Sequence, residues 1–220
     1  MRIGLIGGTG REGKGLALRW AKAGHRVSIG SRDEQRARDR AVELSQAGFG
    51  PIEGGSNEAI LATSEIALLS VPYGAHGATL RGLRDALQGR ILIDITVPLA
   101  PPAFAEVHLP AGQSAALEAQ EILGAGVSVV AAMHHVSSAH LADPTRAIEA
   151  DVLVVADDLK ARETVMRLIQ DLGLNPLDAG PLRNSIALES LTPVLLHLTK
   201  RYGSSGAGVR FTNLTPKPKA

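Results

Sequence analysis

The chain has 220 residues, 45% of them hydrophobic, and its 23 Lys and Arg against 22 Asp and Glu give a net charge of +1. This balance argues against nucleic acid as a partner, and the absence of cysteine excludes disulfides, thiolate catalysis and cysteine metal sites. Because no apolar stretch is long enough to span a bilayer and Met1 leads into the first apolar run without a signal peptide, we expect a cytoplasmic protein and no membrane partner.

The first apolar run, residues 3–6, leads into a glycine-rich turn with GxGxxG spacing at Gly8, Gly10 and Gly13. We assign Gly8 to the tight turn, Gly10 to the approach of backbone amides to a pyrophosphate, and Gly13 to close packing of the next helix on the strand. An amphipathic helix and a second apolar run, 26–29, follow. This order of strand, turn, helix and strand predicts a dinucleotide site.

The end of the second strand indicates which dinucleotide is preferred. An Asp or Glu there would bind the ribose 2′-hydroxyl, but this chain has Gly30, Ser31 and Arg32, with Arg36 one helical turn later. A guanidinium forks onto phosphate oxygens, so these residues predict NADP. The alternative is that both arginines are ordinary solvated cations on a charged helix.

Further apolar runs alternate with helical segments, which predicts an α/β fold of Rossmann type with a doubly wound, mostly parallel sheet. The runs at 66–71, 90–95 and 128–133 are the strands, and residues 99–113 form an irregular excursion. Because carboxyl ends of parallel strands share one edge, we expect the loops at 70–73, 96–98 and 133–136 to meet in a crevice.

The last part of the chain predicts one more unit and a small helical extension. A strand at 151–156, a helix at 157–172 and a strand at 173–177 should extend the sheet. A leucine-rich helix at 186–198 carries Pro193, which should kink or divide it, and its broad apolar surface predicts a homodimer. We therefore divide the chain into a dinucleotide-binding domain, 1–180, and a C-terminal segment, 181–220, whose end from 212 onward should be frayed.

Several motifs in a fixed order carry a resemblance to a known family. They are Gly7 to Gly10 with 13–19, Gly30 to Arg32, Val71-Pro72, Ala132 to His134, 177–182 with Asn184-Ser185, and 189–193. Over residues 1 to about 211 they resemble the NADPH-dependent coenzyme F420 reductases, or deazaflavin:NADP oxidoreductases. The resemblance implies a small enzyme that moves hydride between two small-molecule cofactors, NADP and coenzyme F420.

The resemblance also implies which residues contact each cofactor. It implies NADP contacts at Thr9, Arg11, Glu12, Ser31, Arg32, Arg36, Val71 and His76, and deazaflavin contacts at Val97, Pro98, His134, Val136 and Ala207. The deazaflavin pocket then lies partly in the C-terminal segment. The chain departs from the family pattern at Arg11-Glu12, at His135, where a small hydroxyl residue is usual, and at Ala207, where a larger apolar residue is usual.

His134 is the predicted catalytic residue. We expect it to hydrogen-bond the ring carbonyl or N1 region of the deazaflavin, where reduction builds negative charge. The alternative is that His134 and His135 only cap a strand end, and we favour this alternative for His135. No metal is expected, because His134, His135 and His140 with Asp143 match no ligand pattern. Two other functions stay open from the residues alone: an NADP-dependent reductase of a small imine or ketone, with His134 as proton donor, and a non-catalytic NADP(H)-sensing module.

Overall fold

The computed structural model describes residues 1–214, which form a six-stranded parallel sheet covered by helices and a separate two-stranded unit. In chain order the elements are β1 (Arg2–Ile6), α1 (Arg11–Lys22), β2 (Arg26–Ser31), α2 (Glu34–Ser45), β3 (Ile52–Ser56), α3 (Asn57–Thr63), β4 (Ile66–Leu69), α4 (Tyr73–Gly82), α5 (Arg84–Leu87), β5 (Ile91–Asp94), α6 (Ala115–Leu123), β6 (Ser128–Ala131), α7 (Ser138–Leu141), β7 (Asp151–Val154), α8 (Leu159–Asp171), β8 (Asn175–Asp178), a 3₁₀ turn (Leu182–Asn184) and α9 (Ser185–Tyr202).

The strand order in the large sheet is β3-β2-β1-β4-β5-β6, and every pair is parallel. Ile3 lies beside Val27 on one side and Ile66 on the other, so β1 is central. The strand order changes direction between β1 and β4, and at this point a crevice opens at the carboxyl ends of the strands. The predicted Rossmann-type fold is confirmed.

Helices bury both faces of the sheet. Ile3 and Leu5 pack with Trp20 of α1 in one core, whereas Ile6 packs with Leu80 of α4 in the other. Burial of each such side chain contributes about 1.5–3 kcal/mol. Because both faces are covered, the strands are continuous apolar runs in the sequence and do not alternate between apolar and polar residues.

The glycine-rich turn differs in detail from the prediction. The positive φ, +69°, belongs to Gly7 and not to Gly8. Gly8 is required for packing, since a Cβ there would lie 2.8 Å from the Cβ of Leu5, and a Cβ on Gly13 would lie 2.7 Å from the Cα of Gly8. At Gly10 the nearest neighbour would be the Gly7 carbonyl oxygen at 3.9 Å, so this side of the turn is open.

Three strands differ from the sequence prediction. Strand β3 was not predicted, because its sequence, IEGGS, has two glycines and little apolar content. A Cβ on Gly54 would lie 2.4 Å from the Ala37 carbonyl oxygen, so α2 packs closely over it. The predicted extension of the sheet by β7 and β8 is wrong: they pair with each other, and one antiparallel bridge, Ala131 to Val155, joins them to β6.

The C-terminal helix is continuous. α9 runs through the buried Pro193 without dividing, contrary to one predicted outcome. The predicted irregular excursion is confirmed, because no helix or strand lies between Asp94 and Ala115. Residues 212–214 of the predicted frayed tail are exposed, and 215–220 lie outside the described residues. In the described part of the chain, no helix is long and apolar enough to cross a membrane.

Replacing Gly8 with alanine should destabilise the fold. The added methyl would meet the Leu5 Cβ at 2.8 Å and the Leu5 carbonyl oxygen at 2.9 Å, and overpacking of this kind costs about 1–3 kcal/mol. Gly10→Ala is the matched control on the same turn, because its methyl finds open space. Urea unfolding should show a lower midpoint for G8A and little change for G10A; equal midpoints would contradict the packing role.

Candidate active site

A cleft of about 150 Å³ lies at the carboxyl edge of the sheet. Its walls come from the loop after β5, the loop after β6, helix α1, helix α9 and the segment after α9. The lining residues are Glu12, Leu16, Ile95, Val97, 133–138, Leu141, Thr192, Leu195, Leu196, Thr199, Gly206 and Ala207. Two of the three loops predicted to meet therefore contribute to the cleft, and the third, 70–73, does not line it.

The cleft brings together five of the predicted site residues: Glu12, Val97, His134, Val136 and Ala207. Glu12 contributes from the first turn of α1, where partial burial raises the pKa of its carboxyl. The other predicted residues do not line the cleft: Gly8, Thr9, Gly10, Arg11, Gly13, Ser31, Arg32, Arg36, Val71, His76 and Pro98. Most of them belong to the neighbouring glycine turn and the end of β2.

The glycine turn and the end of β2 are chemically suited to an anion. Gly10 precedes helix α1 as its N-cap and supplies no side-chain cap, so the first amides of the helix face the open side of the turn. The Asp33 carboxylate accepts the Arg36 amide at 3.1 Å and so caps α2, and the Ser31 hydroxyl oxygen accepts the Asp33 amide at 3.1 Å. Arg32 and Arg36 are exposed, and within residues 1–214 neither has a carboxylate within 4 Å.

His134 and His135 form one wall of the cleft. Met133, which precedes them, has a left-handed backbone with φ of +70°, a strained conformation for a residue with a side chain. Thr192 of α9 donates a hydrogen bond to the His134 carbonyl at 2.9 Å. Burial is the main cause that lowers the pKa of each imidazole to about 4, so both are neutral at pH 7.

Buried polar atoms without partners concentrate at this edge. Seven such side-chain atoms occur within residues 1–214, and six of them belong to His76, Thr96, His134 and His135. The seventh, Arg162 Nε, lies 2.9 Å from an Asp178 oxygen. Since an orphaned buried polar group costs about 1–3 kcal/mol, this concentration indicates a place built to meet a polar ligand.

A hydrogen-bonded network links the end of β5 to α4 and α6. His76 Nε2 lies 2.7 Å from Asp94 Oδ2, and both side chains are 1% exposed. Tyr73 stacks on His76 and donates its hydroxyl to Glu118 at 2.9 Å, and burial with that carboxylate raises the pKa of Tyr73 to about 12. His76, predicted to contact NADP, is thus enclosed in the protein and bonded to a carboxylate.

Several residues of the site are not predicted from the sequence. Thr192, Leu195, Leu196 and Thr199 of α9 face the cleft, and their helical spacing is the signal that could have indicated it. Asp94 was also missed, although a carboxylate that ends an apolar strand is unusual. Within the described residues, no three His, Cys, Asp or Glu side chains come together as a metal site.

Comparisons with known proteins by sequence and by structure agree on one family. The family described as NADP oxidoreductase, coenzyme F420-dependent, matches residues 2–98. F420-dependent NADP reductases from Methanothermobacter marburgensis and Methanocaldococcus jannaschii are 35% and 34% identical to the chain, each alignment covering 97% of the chain and 99% of the relative. A solved structure from Arthrobacter sp. FB24, whose name describes an F420-dependent NADP reductase, superposes with a TM-score of 0.80 at 25% identity. The superposition covers 97% of this chain and 100% of the Arthrobacter chain.

The buried histidines should make the fold less stable in acid. Each has a folded-state pKa near 4 against 6.5 when exposed, so the unfolded chain binds protons first and stability is lost as pH falls from 6.5 to 4. The variant with both His134→Gln and His135→Gln should lose less stability over this range. Urea unfolding at pH 7 and pH 4.5 measures the difference, and identical losses in both proteins would contradict it.

Proposed function

The chain belongs to the F420-dependent NADP reductase family, and on that premise we propose that it transfers hydride between NADP(H) and coenzyme F420. The balanced reaction is NADPH + H⁺ + F420 ⇌ NADP⁺ + reduced F420, with hydride passing between the nicotinamide and the deazaflavin ring. The observation that carries the proposal is the full-length identity of about 35% to reductases of that name. The cleft beside the glycine turn supports it.

We propose that NADP binds along the glycine turn and the end of β2. Thr9, Arg11 and Glu12 lie on the turn and the start of α1, whose amides suit a pyrophosphate. Ser31, Arg32 and Arg36 are proposed for the 2′-phosphate, and the two exposed guanidiniums support this role. Val71 and His76 stay predicted contacts; the burial of His76 favours an indirect role.

We propose that the deazaflavin enters the cleft against Val97, Pro98, Val136 and Ala207. The apolar wall formed by Val97, Val136 and Ala207 would exclude water from the reacting rings. His134 would supply a neutral N–H to the ring edge that gains charge. Its ring nitrogens are buried in this state, so the imidazole has to become accessible as a ring enters. The protein's part is alignment and electrostatics.

A homodimer, a cytoplasmic location and the division at residue 180 are parts of the same proposal. Exposed apolar side chains on α9 support the dimer, since Val194, Leu196 and Leu198 remain 43%, 39% and 37% exposed. A second copy that covers this surface would place α9, which also lines the cleft, between two subunits. Light scattering of the purified protein tests the assembly.

Mixing the protein with NADPH and oxidised F420 should bleach the visible absorbance of the deazaflavin. NADH and a flavin serve as parallel controls. NADH lacks the 2′-phosphate, and a flavin lacks the deazaflavin ring, that the proposed site requires. Bleaching that depends on NADPH supports the proposal. Saturable NADPH binding without bleaching would contradict it and favour the reductase of a small imine or ketone.

Arg32→Ala should weaken NADPH binding far more than NADH binding. A charge-assisted hydrogen bond to phosphate is worth about 1.5–3 kcal/mol, which corresponds to a KM increase of roughly 10- to 100-fold for NADPH. Arg38→Ala is the matched control, since Arg38 lies on α2, the helix that follows Arg32, and pairs with Glu34 at 2.6 Å. Equal losses for both nucleotides would show that Arg32 is not a phosphate ligand.

A further inference from the structure

Asp94, the last residue of β5, joins two parts of the site through its two oxygens. Oδ2 lies 2.7 Å from Nε2 of His76 on α4, and Oδ1 accepts the backbone N–H of Thr96 at 2.9 Å. Asp94 and His76 are each 1% exposed. In a site this dry, both contacts are held without competition from water.

The loop held by Asp94 is the loop that borders the cleft. Ile95 and Val97 line the cleft on either side of Thr96. A change in the Asp94 position therefore moves the wall against which a ring would rest. His76 itself lines no part of the cleft.

The other side of His76 is fixed as well. The Tyr73 ring stacks on the imidazole with centroids 6.1 Å apart, and its hydroxyl is bonded to Glu118 of α6. The Glu118 carboxylate also accepts the Gly112 amide at 3.1 Å. The imidazole is thus held between an aromatic ring and a carboxylate. Because its position is fixed by Tyr73, it in turn fixes the position of the Asp94 carboxylate.

We propose that His76 and Asp94 are a positioning pair that fixes the 95–98 loop and thereby sets the distance and angle of hydride transfer, without touching either reacting ring. This inference rests on the proposed function for its kinetic part only. It predicts that loss of the pair lowers the rate of the chemical step, while nucleotide affinity is retained, because misplacement of reacting groups costs rate more than binding.

Three variants test the pair. His76→Phe keeps a ring against Tyr73 but removes the donor to Asp94, whereas His76→Gln keeps an N–H that can reach the carboxylate. Since H76F leaves Oδ2 of the buried Asp94 carboxylate without its partner, the double variant H76F/D94L removes both polar side chains and protects the fold. The matched control is His25→Phe, because His25 has a similar contact, 3.0 Å from Asp171, at the opposite edge of the sheet.

The first readout is hydrogen exchange of the 95–98 loop in the protein without cofactors. Exchange of the Thr96 and Val97 amides should be faster in H76F and in the double variant, and close to wild type in H76Q and H25F. Unchanged exchange in both H76F and the double variant would overturn the inference. This readout does not involve F420, so it decides the structural part even where F420 is not reduced.

The second readout is the single-turnover rate of F420 reduction with bound NADPH. H76F and the double variant should be slower by about 10-fold or more, and H76Q within about 3-fold of wild type, with the NADPH Kd little changed in all. A rise in NADPH Kd that accounts for the whole rate loss would overturn the inference and make His76 a nucleotide ligand. Absence of turnover in the wild type would instead overturn the proposed function.

Discussion

The close contact between α1 and β1 is the constraint on which the site depends. Gly8 and Gly13 bring helix and strand backbones together, since a Cβ on Gly13 would lie 2.7 Å from the Gly8 Cα. The same helix then organises its surroundings: Gly15 admits Leu141 of α7, and the buried Arg19 donates to the carbonyls of residues 140, 141, 143 and 146. One helix therefore presents free amides at its start, lines the cleft with Glu12 and Leu16, and holds the segment that follows the two histidines.

The carboxyl edge of the sheet combines well-satisfied and unsatisfied polar groups. Asp94, Tyr73 and Glu118 are hydrogen-bonded, and Glu189 of α9 accepts the Ala115 and Ala116 amides at 2.7 and 3.0 Å, even though burial raises the pKa of its carboxyl to about 8. His134 and His135 have no such partners. Rigid polar contacts thus surround two neutral imidazoles whose ring nitrogens have no hydrogen-bond partner. This arrangement is expected of a preorganised binding wall.

Local patterns in the sequence were sufficient for the class of fold and most of the large sheet, and they also underlie the proposed nucleotide site. Apolar runs at β1, β4, β5 and β6 and the glycine spacing needed no tertiary information. Strand β3 was missed because its two glycines are explained only by α2 packing over them. The helical spacing on α9 could have indicated a shared face but not that this face lines the cleft, and the His76 to Asp94 bond joins two separate elements, so no local pattern could predict either contact.

The reaction that we propose requires the two rings to meet directly in the cleft beside His134. Single-turnover reaction in ordinary water with NADPH that carries deuterium at the transferred position tests it, with mass spectrometry of the reduced deazaflavin as the readout. Direct transfer predicts that the deuterium appears on the deazaflavin ring. Reduced F420 without the label would show that hydrogen passes through solvent or a protein group, and would contradict a site in which the rings are in contact.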